Sequence, residues 1–188
     1  QHLPPSIPPA GKTQKRDSNV IVLATRSRPR DYPGSATDQT RDPTSADFLS
    51  IEYFPKRFLI IGAGVLGCES ATIFSNFHQT KVHLLERQPR VLPSEDPDAA
   101  AVIEVAFTRS GMEVMSRSRA ASVDRRGDGV VVTLTDGRVV EGSHCLLAVG
   151  SIPNTSGIGL EAAGVSCDSR GFGTGARVSR TPARGGAA

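Results

Sequence analysis

The chain has 188 residues, of which 38% are hydrophobic and 22% are charged, and its net charge is +3. This is the composition of an ordinary globular protein with enough length for one large hydrophobic core, which excludes two large ones. No apolar run approaches the roughly 20 residues of a membrane span, and the surplus arginines lie in flanks that contain Pro and Gly but no interleaved aromatic residues, so we expect neither a membrane partner nor a nucleic-acid partner.

The three cysteines, Cys68, Cys145 and Cys167, are far apart in the sequence and form neither a CxxC pair nor a metal-binding motif. Such a pattern is typical of a reducing compartment, where disulfides are rare. We therefore predict a cytoplasmic protein without a metal site. Because the sequence begins with Gln1 and not with methionine, we expect it to be a piece of a longer chain.

The first 54 residues contain little that predicts regular structure. Residues 1–17 combine prolines with a charged run, and we predict that they are disordered because they cannot bury enough apolar surface to offset chain entropy. Residues 19–24 have the sequence NVIVLA, which predicts a short buried strand. Residues 25–45 are predicted to be a loop or linker, and residues 45–50 a helical turn.

Residues 58–86 are the most informative stretch, because two apolar runs flank the motif GAGVLG at residues 62–67. The first glycine, Gly62, allows a tight turn out of a strand, Gly64 lets the backbone approach a pyrophosphate, and Gly67 lets a helix pack closely on the strand. The negative charge of the ligand then lies at the helix N-terminus, where unpaired N–H groups and the helix dipole stabilise it. The pattern predicts a dinucleotide-binding site.

The second apolar run ends in Glu86, which lies 19 positions after Gly67. This is close to the roughly 20-residue spacing of an acid that accepts hydrogen bonds from the ribose hydroxyls of NAD. The 2′-phosphate of NADP would meet the carboxylate as a like charge, so we predict a preference for NAD over NADP. We expect Arg87 on the opposite side of an extended chain, whereas the direction of Arg90 stays open.

The apolar spacing predicts two amphipathic helices, one after the glycine motif and one after Glu86. The second begins with Asp96 as its cap and Pro97 at its first position, and it ends at Gly111. The predicted buried face is Leu66, Ile73, Phe74 and Phe77 in the first helix, and Val102, Ile103, Ala106 and Phe107 in the second.

The remaining apolar runs complete an α/β fold, a Rossmann-like three-layer dinucleotide-binding domain with a parallel sheet and an inserted antiparallel β-meander. The predicted parallel strands are residues 58–61, 82–85, 112–115 and 144–149. Between the last two, an Asp-Gly pair at residues 136–137 predicts a hairpin. The predicted domains are residues 1–17, disordered; 18–54, a strand and linker; 55–151, the dinucleotide-binding domain; and 152–188, a return segment with a disordered end.

This order of elements resembles the NAD(P)-binding domain of the flavoprotein disulfide reductases, or pyridine nucleotide-disulfide oxidoreductases. The family contains dihydrolipoamide dehydrogenases, soluble pyridine nucleotide transhydrogenases and related quinone reductases. Three matching segments carry the resemblance: NVIVLATRSRP at residues 19–29, GAGVLGCE at residues 62–69 and LLAVGSIPNT at residues 146–155. In the family, residues 18–54 and 152–188 would connect this domain to the FAD domain.

The resemblance implies that NADH passes hydride to flavin, which then reduces a disulfide or a quinone, and that this domain only holds and aims the nicotinamide. It assigns no catalytic residue to the chain. It places Glu86 at the adenosine ribose, the Ala120 backbone at the adenine and Glu69 near the nicotinamide, although Glu69 is also explained as an acid in a first helical turn. The implied dinucleotide-binding residues are Gly62, Gly64, Val65, Leu66, Gly67, Glu69, Glu86, Ala120 and Gly150.

The chain also departs from the family pattern. Arg26 and His78 stand where glycine is usual, and His83 and His144 are expected at core or surface positions and not in catalysis. The sequence contains no FAD fingerprint, no redox cysteine pair and no C-terminal interface domain, through which the full-length relatives form homodimers. We therefore expect that FAD does not bind this chain and that the chain alone is inactive. A non-catalytic nucleotide-binding module or a decayed fragment stays the alternative.

Overall fold

The computed structural model describes residues 20–30, 32, 53–175, 180–181 and 186–187. The predictions for residues 1–17 and 45–50 lie outside this part of the chain. The chain divides into two compact units, Arg28–Ile152 and a second unit of Gln1–Ser27 with Pro153–Ala188. The strands are β1 (Ile21–Val22), β2 (Ser27–Pro29), β3 (Arg57–Ile61), β4 (Lys81–Leu85), β5 (Glu113–Met115), β6 (Ala120–Arg126), β7 (Gly129–Leu134), β8 (Val139–Gly142), β9 (His144–Leu147), β10 (Ser151–Pro153) and β11 (Gly186–Ala187), and the helices are α1 (Val65–Asn76) and α2 (Pro97–Arg109).

The larger unit is built on a parallel sheet with the strand order β5-β4-β3-β9. In its centre, Phe58 pairs with Val82 on one side and with His144 on the other. The four strands fall on the four predicted apolar runs, so the predicted parallel sheet is confirmed. Because β3 and β4 flank α1 in sequence and lie side by side, their carboxyl ends meet at one edge of the sheet.

The parallel sheet separates two hydrophobic clusters. On one face, Phe58 and Ile60 pack with Phe74 of α1 and Phe107 of α2. On the other face, Leu59 and its neighbours pack against the antiparallel sheet, whose strand order is β6-β7-β8. Alternate residues of β3 therefore face opposite layers, as strand geometry requires. The predicted three-layer α/β fold with an antiparallel meander is confirmed.

The meander turns at two glycines, of which the second belongs to the predicted Asp-Gly pair. Gly127 lies between β6 and β7 with φ +60°, and Gly137 lies between β7 and β8 with φ +86°. Both angles are in the left-handed region, which glycine adopts without steric cost. Asp136 accepts a hydrogen bond from the backbone N–H of Arg138 at 3.0 Å. The Asp-Gly pair therefore closes the hairpin as predicted.

The predicted core face of α1 is wrong for three of its four residues. Phe74 is buried, but Leu66, Ile73 and Phe77 are 40%, 46% and 54% exposed. The buried face consists instead of small residues, because α1 approaches the sheet too closely for large side chains along most of its length. The buried residues of the helix are Gly67, Cys68, Ser70, Ala71, Phe74 and Ser75.

Two further predictions of burial are wrong. In α2, Phe107 is buried and Ile103 packs against the core, but Val102 is 68% exposed and Ala106 is also exposed. The apolar spacing of this alanine-rich helix fits more than one face, so it does not select the buried one. The predicted buried strand at residues 19–24 is reduced to β1, which is exposed and pairs in parallel with β11. The predicted linker at residues 25–45 contains the short strand β2.

The two residues that stand where glycine is usual in the family, Arg26 and His78, both have left-handed backbone angles. His78 follows the C-cap of α1 with φ +56°, and Arg26 has φ +61°. A residue with a Cβ is disfavoured in this region, and glycine is the usual residue directly after a helix C-cap. His78 is exposed, so only its backbone needs explanation.

We expect His78→Gly to raise the free energy of unfolding by about 0.5–1 kcal/mol, because it removes the left-handed strain and no buried contact is lost. Urea denaturation followed by circular dichroism measures the change. His78→Ala is the control, since it removes the imidazole and keeps the strain. Equal stabilisation by both variants would show that the backbone angle is not the cause.

Candidate functional site

The glycine motif forms a tight turn between β3 and α1. Gly62 has φ +103°, and a Cβ at this position would lie 2.4 Å from the carbonyl oxygen of Ala148. A Cβ on Gly67 would lie 1.9 Å from the carbonyl oxygen of Gly62. Both distances are far inside van der Waals contact. The first and third glycines are therefore required by the packing of the turn itself, as the sequence predicted.

Gly64 differs from the other two glycines. A Cβ at this position would have no heavy atom within 4 Å, and its φ of −74° is open to any residue. No side chain caps α1, whose first backbone hydrogen bond runs from the N–H of Cys68 to the carbonyl of Gly64 at 2.9 Å. An uncapped helix N-terminus beside open space at the Cβ position of Gly64 is an arrangement that suits an anion.

This open space is a cleft of about 1130 Å³ at the carboxyl ends of the parallel strands. It lies within the larger unit, between the ends of β3, β4 and β9 and the start of β6. In open α/β sheets this is the position at which ligands bind. Of the predicted site residues, those on the cleft wall are Gly62, Gly64, Val65, Leu66, Glu86, Ala120 and Gly150.

Glu86 is 5% exposed, and its carboxylate binds the turn directly. One oxygen accepts from the N–H of Ala63 at 2.7 Å, and the other accepts from the N–H of Gln88 at 2.8 Å. A carboxylate has about four acceptor positions, so capacity remains for ribose hydroxyls. The sequence predicted the contact of Glu86 with ribose but not its contact with the backbone N–H of Ala63, because this contact joins residues 23 positions apart.

Arg87 and Glu86 both border the cleft, with Glu86 buried and Arg87 exposed, and the expectation that Arg87 points to the opposite side from Glu86 stays a prediction. Strand β4 ends at Leu85, and the N–H of Gln88 turns back to the Glu86 carboxylate, so the alternation of an extended strand does not apply here. The guanidinium of Arg90 donates to the carbonyls of Leu92, Pro93 and Glu95 at 2.9, 3.2 and 2.8 Å.

Several residues of the cleft wall carry no sequence signal. Tyr32 comes from the segment predicted as linker, and its hydroxyl donates to the carbonyl of Ala120. Ser118 is buried, and its N–H donates to the carbonyl of Glu86 at 2.8 Å.

Among the described residues of the wall, Arg30, Arg87 and Arg119 outnumber the single carboxylate Glu86, so the charge of the wall favours an anionic ligand.

Two predicted site residues lie off the cleft wall. Gly67 is buried behind the turn, and Glu69 is exposed at the fifth position of α1. The alternative explanation of Glu69 as a first-turn acid is wrong, since the first turn of α1 contains none. Its place near the nicotinamide stays a prediction. Neither predicted non-catalytic histidine borders the cleft. His83 is buried in β4, where burial lowers the pKa of its imidazole. His144 packs edge-on against the ring of Tyr53.

Within the described ranges, no cluster of three or more His, Cys, Asp or Glu residues is arranged to hold a metal ion. In the same ranges, neither helix has the length and apolarity to cross a bilayer.

Cys68 is buried at the start of α1, and burial raises the pKa of its thiol to about 11. Cys145 is also buried, and Cys167 is exposed. We expect Ellman's reagent at pH 8 to modify only Cys167 rapidly in the folded chain and all three cysteines after denaturation, because the thiolate is the reacting form and needs access. Mass spectrometry of the labelled peptides identifies the site. Rapid labelling of Cys68 would contradict the packing of α1 on the sheet.

Comparison with known proteins decides the family. A sequence model described as pyridine nucleotide-disulphide oxidoreductase matches residues 6–182. The chain belongs to the pyridine nucleotide-disulphide oxidoreductase family. The resemblance found in the glycine motif and in residues 146–155 is therefore confirmed.

Three curated relatives that the chain matches are each longer than the chain. It is 41% identical over 175 residues to an NAD(P)H dehydrogenase (quinone) of Mycobacterium tuberculosis, which covers 93% of this chain and 35% of the relative. It is 36% identical over 153 residues to a dihydrolipoyl dehydrogenase of Chlamydia muridarum, with coverage of 80% and 32%. A soluble pyridine nucleotide transhydrogenase of Yersinia pestis is 33% identical over 162 residues, with coverage of 86% and 34%. The chain thus spans about a third of the length of the relatives it matches.

Solved structures share the fold. LpdA from Mycobacterium tuberculosis superimposes with a TM-score of 0.79 at 41% identity, over 89% of this chain and 36% of that one. The HOCl-induced flavoprotein disulfide reductase RclA from Escherichia coli superimposes with a TM-score of 0.76 at 25% identity, over 89% and 38%. The chain therefore has the fold of one part of the flavoprotein disulfide reductases.

Proposed function

We propose that the chain is the pyridine-nucleotide-binding part of an FAD-dependent oxidoreductase and that its cleft binds NAD(H). The observation that carries this proposal is Gly64, the one glycine of the motif whose Cβ position faces open space at an uncapped helix N-terminus. A Cβ there would occupy the space that a pyrophosphate needs, so the residues present fit the cofactor. Family membership supports the redox role.

Different residues of the cleft contact different parts of the dinucleotide. The N–H groups at the start of α1 bind the pyrophosphate, and the arginines on the wall add to its electrostatic stabilisation. Glu86 accepts from the ribose hydroxyls through its remaining acceptor positions. The backbone of Ala120 borders the adenine, and Gly150, with φ +103°, lets the chain pass close to the bound nucleotide.

The chain itself supplies binding and orientation. When bound, the nicotinamide ring provides the hydride, which a flavin and then a disulfide or quinone accept in a full-length enzyme. Glu69 lies near the nicotinamide in this proposal, and no residue of the chain takes part in bond making. The proposal includes a reducing, cytoplasmic setting and dimerisation of the full-length protein, neither of which is needed for the binding step.

We expect the cleft to prefer NADH to NADPH, because the 2′-phosphate would approach the Glu86 carboxylate as a like charge. Glu86→Gln, which keeps the shape of the side chain and removes its charge, is expected to reduce the NADH preference by about tenfold. Fluorescence titration of the 188-residue chain with both nucleotides measures the two dissociation constants. The free energy of unfolding is measured in parallel, because the amide replaces one acceptor for a backbone N–H.

Arg87→Gln is the matched control, since Arg87 borders the same cleft but carries the opposite charge. It is expected to weaken NADPH binding more than NADH binding. Tighter binding of NADPH by the unmodified chain, or an unchanged preference in Glu86→Gln, would show that the acid does not set cofactor choice. Failure of both nucleotides to bind would overturn the proposed function and favour a fragment without nucleotide affinity.

A further inference from the structure

The residue between the first two glycines of the turn, Ala63, is held on both sides. Its N–H donates to Glu86 at 2.7 Å, and its carbonyl accepts from the N–H of Leu92 at 2.7 Å. Ala63 is fully buried, so these contacts fix the plane of the turn. The second contact comes from the loop that follows β4, which has no part in the glycine motif.

This loop is itself held in an unfavourable shape. Leu92 has φ +46°, a left-handed angle that is an outlier for a bulky side chain. Such a conformation persists only where the surroundings over-determine it. The three hydrogen bonds from Arg90 to the carbonyls of Leu92, Pro93 and Glu95 do so, and Glu95 adds an N–H bond to the carbonyl of Leu92 at 3.0 Å.

The planar fork of arginine suits this task, because a guanidinium can donate to several carbonyls at fixed angles and a lysine ammonium cannot reproduce them. The loop also contributes Pro93 and Ser94 to the wall of the cleft. A shift of the loop would therefore change both the cleft wall and the support of Ala63. No part of this chain of contacts requires Arg90 to touch the ligand.

We propose that Arg90 is a positioning residue for the pyrophosphate turn, acting through the Leu92 N–H on the carbonyl of Ala63. This inference rests on the proposed function. It assigns Arg90 a role other than that of a 2′-phosphate ligand, and it predicts that Arg90 influences every ligand that contains a pyrophosphate by the same factor, whether or not the ribose is phosphorylated.

The test compares Arg90→Lys with the unmodified chain, using NADH, NADPH, ADP-ribose and adenosine as ligands. Arg90→Lys keeps the charge and loses the fork, and we expect about tenfold weaker binding of the three pyrophosphate ligands with adenosine unchanged within about twofold. Amide hydrogen exchange provides a readout without ligand: the N–H of Leu92 and of Ala63 is expected to exchange faster while the amides of β3 and β4 keep their protection. Arg87→Lys is the matched control, with no expected effect on exchange at Leu92.

Each other outcome overturns the proposal. Affinities and exchange rates unchanged in Arg90→Lys would show that the loop does not support the turn. A larger loss for NADPH than for NADH would make Arg90 a phosphate ligand. A variant that no longer folds would show that the three hydrogen bonds serve the stability of the whole unit and not the turn. If the unmodified chain binds none of the pyrophosphate ligands, the proposed function fails first, which is a different result from binding that Arg90→Lys leaves unchanged.

Discussion

Gly64→Ala is expected to weaken the binding of NADH by about 100-fold or more, on the order of 3 kcal/mol, while the domain stays folded. The added methyl group meets no protein atom within 4 Å and therefore projects into the space above the first N–H groups of α1. A pyrophosphate that approaches those groups closely would collide with it. Isothermal titration calorimetry measures the binding change.

The stability of Gly64→Ala is the control for this prediction. Its φ of −74° is allowed for alanine, so we expect the free energy of unfolding to change by less than about 1 kcal/mol. Retained NADH affinity in a folded Gly64→Ala protein would show that the ligand does not use this turn. Loss of both affinity and folding would remove the distinction that the structure draws between Gly64 and the other glycines.

Gly67→Ala is expected to have the largest effect on folding, a loss of about 3 kcal/mol or more of unfolding free energy. Its Cβ would lie 1.9 Å from the carbonyl oxygen of Gly62 and 3.4 Å from the Cβ of Ala148, so α1 must move away from the sheet. This displacement would break the contacts of Phe74 with Phe58, whose rings lie 4.6 Å apart. Guanidinium denaturation followed by circular dichroism measures the loss.

Ser70→Ala is the matched control, because Ser70 is on the buried face of the same helix one turn later. Its hydroxyl donates to the carbonyl of Leu66 at 2.8 Å, and we expect its removal to cost about 1 kcal/mol or less. A Gly67→Ala protein as stable as Ser70→Ala would contradict the close packing of the turn.

The sequence predicted the sheet and the turn correctly because each depends on local chemistry. Four apolar runs define the parallel strands, and the spacing of Gly62, Gly64 and Gly67 defines the turn. The meander was predictable for the same reason, since an Asp-Gly pair between two β-rich runs closes a hairpin by itself. Their prediction does not depend on which surfaces pack together in the folded chain.

Burial was less predictable because it depends on the distance between layers. The apolar period of α1 indicated Leu66, Ile73 and Phe77, but the contact of Gly67 with the turn brings the helix so close that small residues occupy most of the buried face. Two of these buried residues, Ser70 and Ser75, are polar, so the hydrophobic spacing of the sequence does not mark them as buried. The large residues are left on the outer surface.

The cleft wall was the least predictable part. Tyr32 reaches it from a segment without hydrophobic period, and its bond to Ala120 spans 88 residues. Arg87 borders it just beyond the end of β4 at Leu85, where the alternation of an extended strand no longer indicates which side a residue faces. The bond between the Glu86 carboxylate and the N–H of Ala63 likewise depends on the folded distance between two strands and not on the spacing of the motif.

The most direct test of the central claim is a titration of the ¹⁵N-labelled chain with NADH, followed by amide chemical shifts. The account predicts saturable changes that are largest at Gly64, Val65 and Leu66, where the N–H groups at the start of α1 meet the pyrophosphate, with further changes at Gly150. Changes that cluster instead around Tyr53 and His144, which line a separate smaller pocket, or no saturable change up to about 1 mM NADH, where binding free energy would be weaker than about −4 kcal/mol, would contradict it.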